Sequence, residues 1–189
     1  MTEQEYFTVH HNLTINVEAL GTDFALPDEE TFVAEIPAPF IVASEFSQLD
    51  MLADNARLEL QNKDLKHVIR LLDTQNTKLN LLLSFMLSQQ DDASVRHQTT
   101  QFGASQLSYH ADNALDTDQL VRVKLFLDNP AAAIYCYAEV VECVSSEHGF
   151  AITLKYKMLR DSDQDLLIKA ALYQQQKLLR QRSLERDKK

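Results

Sequence analysis

Three hydrophobic rhythms succeed one another along the chain. Leu13-Thr-Ile-Asn-Val-Glu-Ala19 alternates apolar and polar positions, which predicts a half-buried strand. Residues 21–42 contain Pro27, Pro37 and Pro39, so an irregular connection is expected there rather than a helix or a central strand. From Phe40 to Phe102 there is neither glycine nor proline, and within that stretch Met51, Leu58, Leu65, Leu72, Leu79 and Met86 recur every seven residues. Taken as the d line of a heptad repeat, they place Asn55, Asn62, Ile69, Asn76 and Leu83 on the a line. The pattern predicts one helix from about Ser44 to Gln90, roughly 70 Å long at about 1.5 Å per residue. So long a stripe outruns what a small domain can cover, and copies of the same chain are its expected partners. Asparagines at a fix register and favour two strands. Val68 and Leu82 at g, with Leu81, Phe85 and Leu87 in the last turns, widen the face towards four helices.

After a polar break at Gln89–Ser94 the rhythm returns to two. Leu107 and Tyr109 share a face within Phe102–Tyr109, and Val121, Val123, Leu125 and Leu127 alternate with Arg122 and Lys124. Ile134–Val144 is rich in β-formers, and Phe150, Ile152, Leu154 and Tyr156 alternate again. Turn residues at Asp128-Asn129-Pro130 and Ser145–Gly149 separate these strands, which predicts an antiparallel barrel or sandwich. A closing helix is expected from a capping box of Ser162 and Asp165, with Leu166, Ile168, Leu172, Tyr173 and Leu179 at helical spacing.

Charge changes the picture more than composition does. The net charge of −10 is concentrated: residues 1–56 hold eleven acids and no Lys or Arg, whereas residues 177–189 carry +4. A globally acidic chain repels nucleic acid and anionic lipid, so neither is an expected partner. The basic tail reads first as a solvated helix end whose cations complement the helix dipole; as its alternative, it could dock an acidic partner or the chain's own acidic N-terminal part. No apolar run is long enough to span a membrane, and the N-terminus lacks a signal-peptide pattern, so a cytoplasmic location is expected. The three glycines, at 21, 103 and 149, are too scattered for a phosphate-cradling loop.

Candidate chemistry is sparse. His10, His11, His67, His97, His110 and His148 show no metal-ligand spacing, and neither a metal nor a cofactor is expected. Cys136 and Cys143, an odd number apart, would face opposite sides of one regular strand as small hydrophobes. Asp28-Glu29-Glu30 and Asp91-Asp92 read as solvated charge rather than a general acid–base pair. No nucleophile–base–orienter set can be assembled, so the chain is not expected to be an enzyme.

The strands around Phe102-Gly-Ala-Ser-Gln-Leu-Ser-Tyr109, Leu120–Leu127, Ile134–Val144 and Phe150–Met158, the opening Tyr6-Phe-Thr-Val9 and the closing LLIKAALYQQQKLLRQR resemble a PilZ domain. The inserted heptad helix makes the resemblance strongest to the family's atypical, tetramer-forming branch. It implies an α+β fold: a PilZ-like antiparallel β-barrel with a long inserted coiled-coil helix and a C-terminal helix. Residues 1–42 and 97–189 would form the barrel and closing helix, and 43–91 the oligomerising insertion. Met51, Asn55, Leu58, Asn62, Leu65, Ile69, Leu72, Asn76, Leu79, Leu83 and Met86 would line the interface of a homo-oligomer, expected to be a tetramer.

PilZ domains usually bind the bacterial second messenger cyclic di-GMP through RxxxR before the first strand and (D/N)xSxxG on the next. Here Gln4 and Thr8 stand at the arginine positions, and Gln101, Gly103 and Gln106 at those of the second motif. Without the two guanidiniums the expectation is an adaptor that acts through an unidentified protein partner, with dinucleotide binding weak or lost. The alternative is a receptor that uses Arg96, His97 or Arg122 instead.

Overall fold

The computed structural model describes residues 8–59, 65–128, 131–147 and 149–186; the side chains of residues 48, 50–59, 185 and 186 fall outside that description. In chain order come β1 (Thr8–His10), β2 (Thr14–Ala19), α1 (Glu29–Glu35), α2 (Ala38–Glu59), α3 (Lys66–Ser88), β3 (Arg96–Gly103), β4 (Gln106–Ala111), β5 (Leu120–Asp128), β6 (Ala131–Ser146), β7 (Gly149–Met158) and α4 (Asp161–Arg186). Strands β2, β5, β6, β7 and β4 are sequential antiparallel neighbours, and β3 bonds to both β4 and β2, closing six strands into a barrel. β1 extends the wall beside the far end of β3. No helix among the described residues is long and apolar enough to cross a membrane.

Alternation builds the barrel core. Val121, Val123, Leu125 and Leu127 of β5 point inward to meet Ile15, Val17, Ile134, Ala138, Ile152 and Leu154, all buried. Arg122 and Lys124 point outward as expected. The expected strand over Phe102–Tyr109 is two strands, β3 and β4, joined by the Ala104-Ser105 turn. Cys136 and Cys143 differ from expectation too: a bulge between Val140 and Glu142 adds a residue to β6, so Cys136 opposes Val123 and Cys143 opposes Ile152. The extra residue restores phase, and both thiols lie on the inward side as free cysteines. Gly149, at φ +107°, turns the chain from β6 to β7 where a Cβ would collide with the Ala111 carbonyl.

Helices cover the aromatic part of the outward face of β5 and β6, at Phe126, Tyr135 and Tyr137. Phe32 of α1 packs on the Tyr135 and Tyr137 rings, and Phe40 of α2 meets Phe126 edge-on at 5.9 Å. The prolines of 21–42 therefore do not bar helix there. Pro37 precedes α2 and Pro39 lies in its first turn, where an amide hydrogen has no intrahelical partner to lose. Asp28, expected as solvated charge, caps α1 by accepting from the Thr31 amide at 2.8 Å. Those hydrogen bonds lower its pKa.

The expected single rod is instead two helices. Phe40 and Ala43 near the start of α2, and Leu83 and Leu87 near the end of α3, belong to one core cluster, and both helices pack on β6. The ends of a straight 70 Å helix could not meet one barrel; a hairpin of 22 and 23 residues brings them together. Asn16, buried on β2, clamps the base of this hairpin. Its amide donates to Asp91 Oδ1 (2.9 Å) and the Asp92 carbonyl (3.0 Å), and its oxygen accepts from the Asp92 amide (2.9 Å). Asp91, also expected as solvated charge, pairs in addition with Arg96 at 2.7 Å. Lys124 donates to the Gln90 carbonyl at 3.2 Å.

α4 closes one side of the barrel with Leu166, Leu167, Ala170 and Ala171. Asp163, rather than the expected Ser162–Asp165 pair, anchors its start. The buried carboxylate receives two 2.8 Å hydrogen bonds from the Arg160 guanidinium. Burial raises its pKa, against the opposing pull of Arg160 and the Ser44 hydroxyl.

Candidate functional site

The family-signature positions converge, except for Gln4, which lies outside the described residues. Thr8 on β1 pairs with Gly103 on β3, next to Gln101, and Gln106 opens β4 opposite Lys155. Of these, Thr8 and Gln101 enter a polar row that crosses four strands; no side-chain hydrogen bond joins Gln106 to it among the described residues. The Thr8 hydroxyl donates to Gln101 Oε1 (3.3 Å), Gln101 Nε2 donates to Ser108 Oγ (3.2 Å), and Ser108 shares a 3.0 Å bond with Thr153. Ser108 and Thr153, which extend the row, carry no sequence signal beyond alternation. These groups are neutral and bonded to one another, so the row itself offers directional hydrogen bonding rather than charge, and the cation that register sets beside it is Lys155, opposite Gln106. Beyond the Ala104-Ser105 turn lies a cavity of about 270 Å³ that includes Lys155, Lys157 and Gln164. There Lys157 is held by Glu139 at 2.7 Å.

The substitute residues do not form one site. Arg96 and His97 line a cavity of about 350 Å³ at the barrel mouth with Tyr109, Asp112 and Asn113. Arg96 is committed to Asp91. The His97 ring sits 4.9 Å from that of Tyr109. Burial lowers the His97 pKa, although the His110 carbonyl and Asp112 act in the opposite direction. Arg122 stands elsewhere, on the outer wall, paired with Glu18 at 2.9 Å and 5.9 Å from the Tyr137 ring centre. Beside it the Tyr137 hydroxyl donates to Glu35 at 2.5 Å, fastening α1 to β6. No cluster of potential metal ligands occurs among the described residues.

The heptad positions divide by partner. The a line turns towards the chain itself: Leu83 is 3% exposed, and Ile69 and Asn76 are half-buried. Leu65 is half-buried as well. From Leu72 onward the d line turns outward, with Leu72, Leu79 and Met86 at 54%, 47% and 39% exposure. The side chains of Met51, Asn55 and Leu58 are outside the description, as is Asn62 altogether. Beside the d line, Val68, Leu71, Leu82 and Phe85 are also exposed. With the d line they form two apolar bands, at 68–72 and 79–86, separated by Gln75 and Lys78. The exposed face spans about 140° of the helix, broader than a two-stranded seam.

No protein-family model matches the chain, and no curated protein matches it. Solved structures do. A Xanthomonas campestris protein, described as a tetrameric PilZ domain self-assembled via an unusual helical bundle, superimposes with a TM-score of 0.60 at 13% identity, over 93% of this chain and 91% of that one. The fold is therefore that of a PilZ-like α+β barrel. The Bacillus subtilis inhibitor of motility (MotI/DgrA) also matches, at a TM-score of 0.49 and 12% identity over 94% of this chain; the chain spans about half of that protein, 53%.

Proposed function

We propose that the protein is a non-enzymatic PilZ-like adaptor in bacterial cyclic di-GMP signalling, assembled through α3 and acting by protein–protein contact with direct dinucleotide binding weak or lost. The observation that carries this reading is the neutral row Thr8–Gln101–Ser108–Thr153 at the family's ligand position, whose hydrogen-bonding groups are spent on one another. Each charge-assisted hydrogen bond missing from such a site forfeits about 1.5–3 kcal/mol, roughly one to two decades of affinity. The broad apolar face of α3 supports assembly of several copies, four being the number that suits its width. The tetrameric Xanthomonas structure supports the same number.

The test joins calorimetric titration with cyclic di-GMP to a solution mass measurement. The reading expects no sub-micromolar binding and a multimeric mass; sub-micromolar binding or a monomer would refute the corresponding half. The receptor alternative draws support from one observation, the shared cavity of Arg96 and His97. If titration detects binding, its loss in Arg96→Ala and His97→Ala would favour that alternative.

A further inference from the structure

Beyond Ala171, α4 packs little against its own chain, with Leu178 the apolar side chain that still reaches the core. Tyr173, Lys177, Arg180 and Leu184 stand four, three and four residues apart, so they form one ridge along the helix. Tyr173 and Leu184 are exposed apolar ends, with two cations between them. Neither Lys177 nor Arg180 has an ion-pair partner among the described residues.

α1 carries the complementary pattern. Val33 is exposed, and Glu29 and Glu30 lie one helical turn before it, with Leu26 and Asp28 just ahead. No lysine or arginine occurs anywhere in residues 1–56 to neutralise these carboxylates. Within one chain the two surfaces lie apart. Lys177 acts on His11 together with Asp128, whose β6 partner is Ala131, whereas α1 rests on Tyr135 and Tyr137. Six residues of strand from Ala131 to Tyr137 correspond to about 20 Å.

We propose that the Tyr173–Leu184 ridge of α4 docks on the α1 face of a second copy of this chain, Leu26 and Val33 meeting its two apolar ends while Lys177 and Arg180 meet Glu29 and Glu30. Exchanged reciprocally about a two-fold axis, two such contacts close without leaving a free end. A patch this small is weak alone. Its strength rests on the α3 assembly proposed above, which holds the copies at high effective concentration.

The test mixes two full-length chains in a Cys143→Ser background, one carrying Val33→Cys and the other Leu184→Cys. A disulfide between them is expected, with a yield that falls as NaCl rises from about 0.05 M to about 0.5 M. Lys177→Glu with Arg180→Glu on the Leu184→Cys chain should abolish the cross-link, as should Glu29→Lys with Glu30→Lys on the Val33→Cys chain. Mixing the two reversed chains should regain it. A multimeric mass without a cross-link, or a cross-link indifferent to charge reversal, would overturn the contact while leaving the α3 assembly intact. An internal disulfide at high dilution in a chain bearing both cysteines would overturn it in favour of self-packing. Charge-dependent binding to phosphatidylserine vesicles in the absence of the cross-link would overturn it in favour of a membrane surface. A monomeric mass with a surviving charge-dependent cross-link would support the contact and remove the assembly instead.

Discussion

If the two lines of α3 serve different partners, Leu83→Ala and Leu79→Ala should fail in different assays. Leu83 is 3% exposed within its own chain and packs in the core with Leu87, Phe40 and Ala43. Its truncation leaves a cavity there and should cost about 3 kcal/mol of folding stability. Leu79 keeps 47% of its surface exposed, so truncation costs the isolated protomer about 1 kcal/mol or less. In an assembly the exposed half of Leu79 becomes buried, worth about 1 kcal/mol per protomer and thus about 4 kcal/mol over four copies. That is about three decades in the association constant of a tetramer, or about tenfold in the concentration at which it forms. Sedimentation velocity over a dilution series reads the second effect. Urea unfolding at a concentration where the wild type has also dissociated reads the first. The reasoning fails if Leu83→Ala shifts the dissociation midpoint as far as Leu79→Ala does while its protomer unfolds normally.

Three further outcomes follow from the barrel. Arg160→Met should cost about 3–5 kcal/mol, because it leaves the Asp163 carboxylate buried without its cation. Since the folded pKa of Asp163 is raised, its contribution to stability is greatest below the ordinary carboxylate range and is lost as pH rises through the folded value. Urea midpoints of this variant should therefore fall further behind wild type at neutral pH than at about pH 4, and Asp163→Asn should rescue it. Tyr137→Phe removes the hydroxyl held by Glu35 and should loosen α1 by about 1.5 kcal/mol, read as faster amide exchange over residues 29–36 with β6 unchanged. His97 should titrate by NMR below an exposed histidine, and because its folded pKa is lowered, the stability it contributes is present above the ordinary value and lost as pH falls through the folded one.

The barrel was legible because period-two alternation records burial directly: every inward residue expected in β5 is buried. The bulge in β6 was not, since Val140-Val141-Glu142 contains no glycine, proline or turn residue to mark the added residue. The helix hairpin was hidden for a related reason. A seven-residue repeat reports that a helix has a seam, and it continues in phase whether the opposing helix belongs to another chain or to the same one. Asn76 and Leu83 on one line and Leu72 and Leu79 on the other satisfy the same spacing with different partners. The signature positions were placed by resemblance, and strand pairing brings Thr8, Gln101 and Gly103 together. What sequence could not supply was Ser108 and Thr153, which complete the row only through the β3–β4 and β4–β7 registers. Asp91 was hidden likewise, because its meaning comes from Asn16, 75 residues away.

Helices α1 to α3 and the signature row occupy different sides of the barrel. α1, α2 and α3 lie over the outward face of β5 and β6, while the row runs along β1, β3, β4 and β7. The proposed assembly through α3 would leave the row uncovered by the hairpin, so the two features can be altered independently. Replacing Gln4 and Thr8 with arginine returns two guanidiniums to the family positions. If charge is what the row lacks, two recovered charge-assisted hydrogen bonds amount to about 3–6 kcal/mol, or about two to four decades of affinity for cyclic di-GMP. Calorimetry of Gln4→Arg/Thr8→Arg should show that gain, weakening with added salt, while sedimentation shows the wild-type mass. A variant that binds no better than wild type would mean that the shape of the row, with Gln101 locked between Thr8 and Ser108, excludes the dinucleotide irrespective of charge.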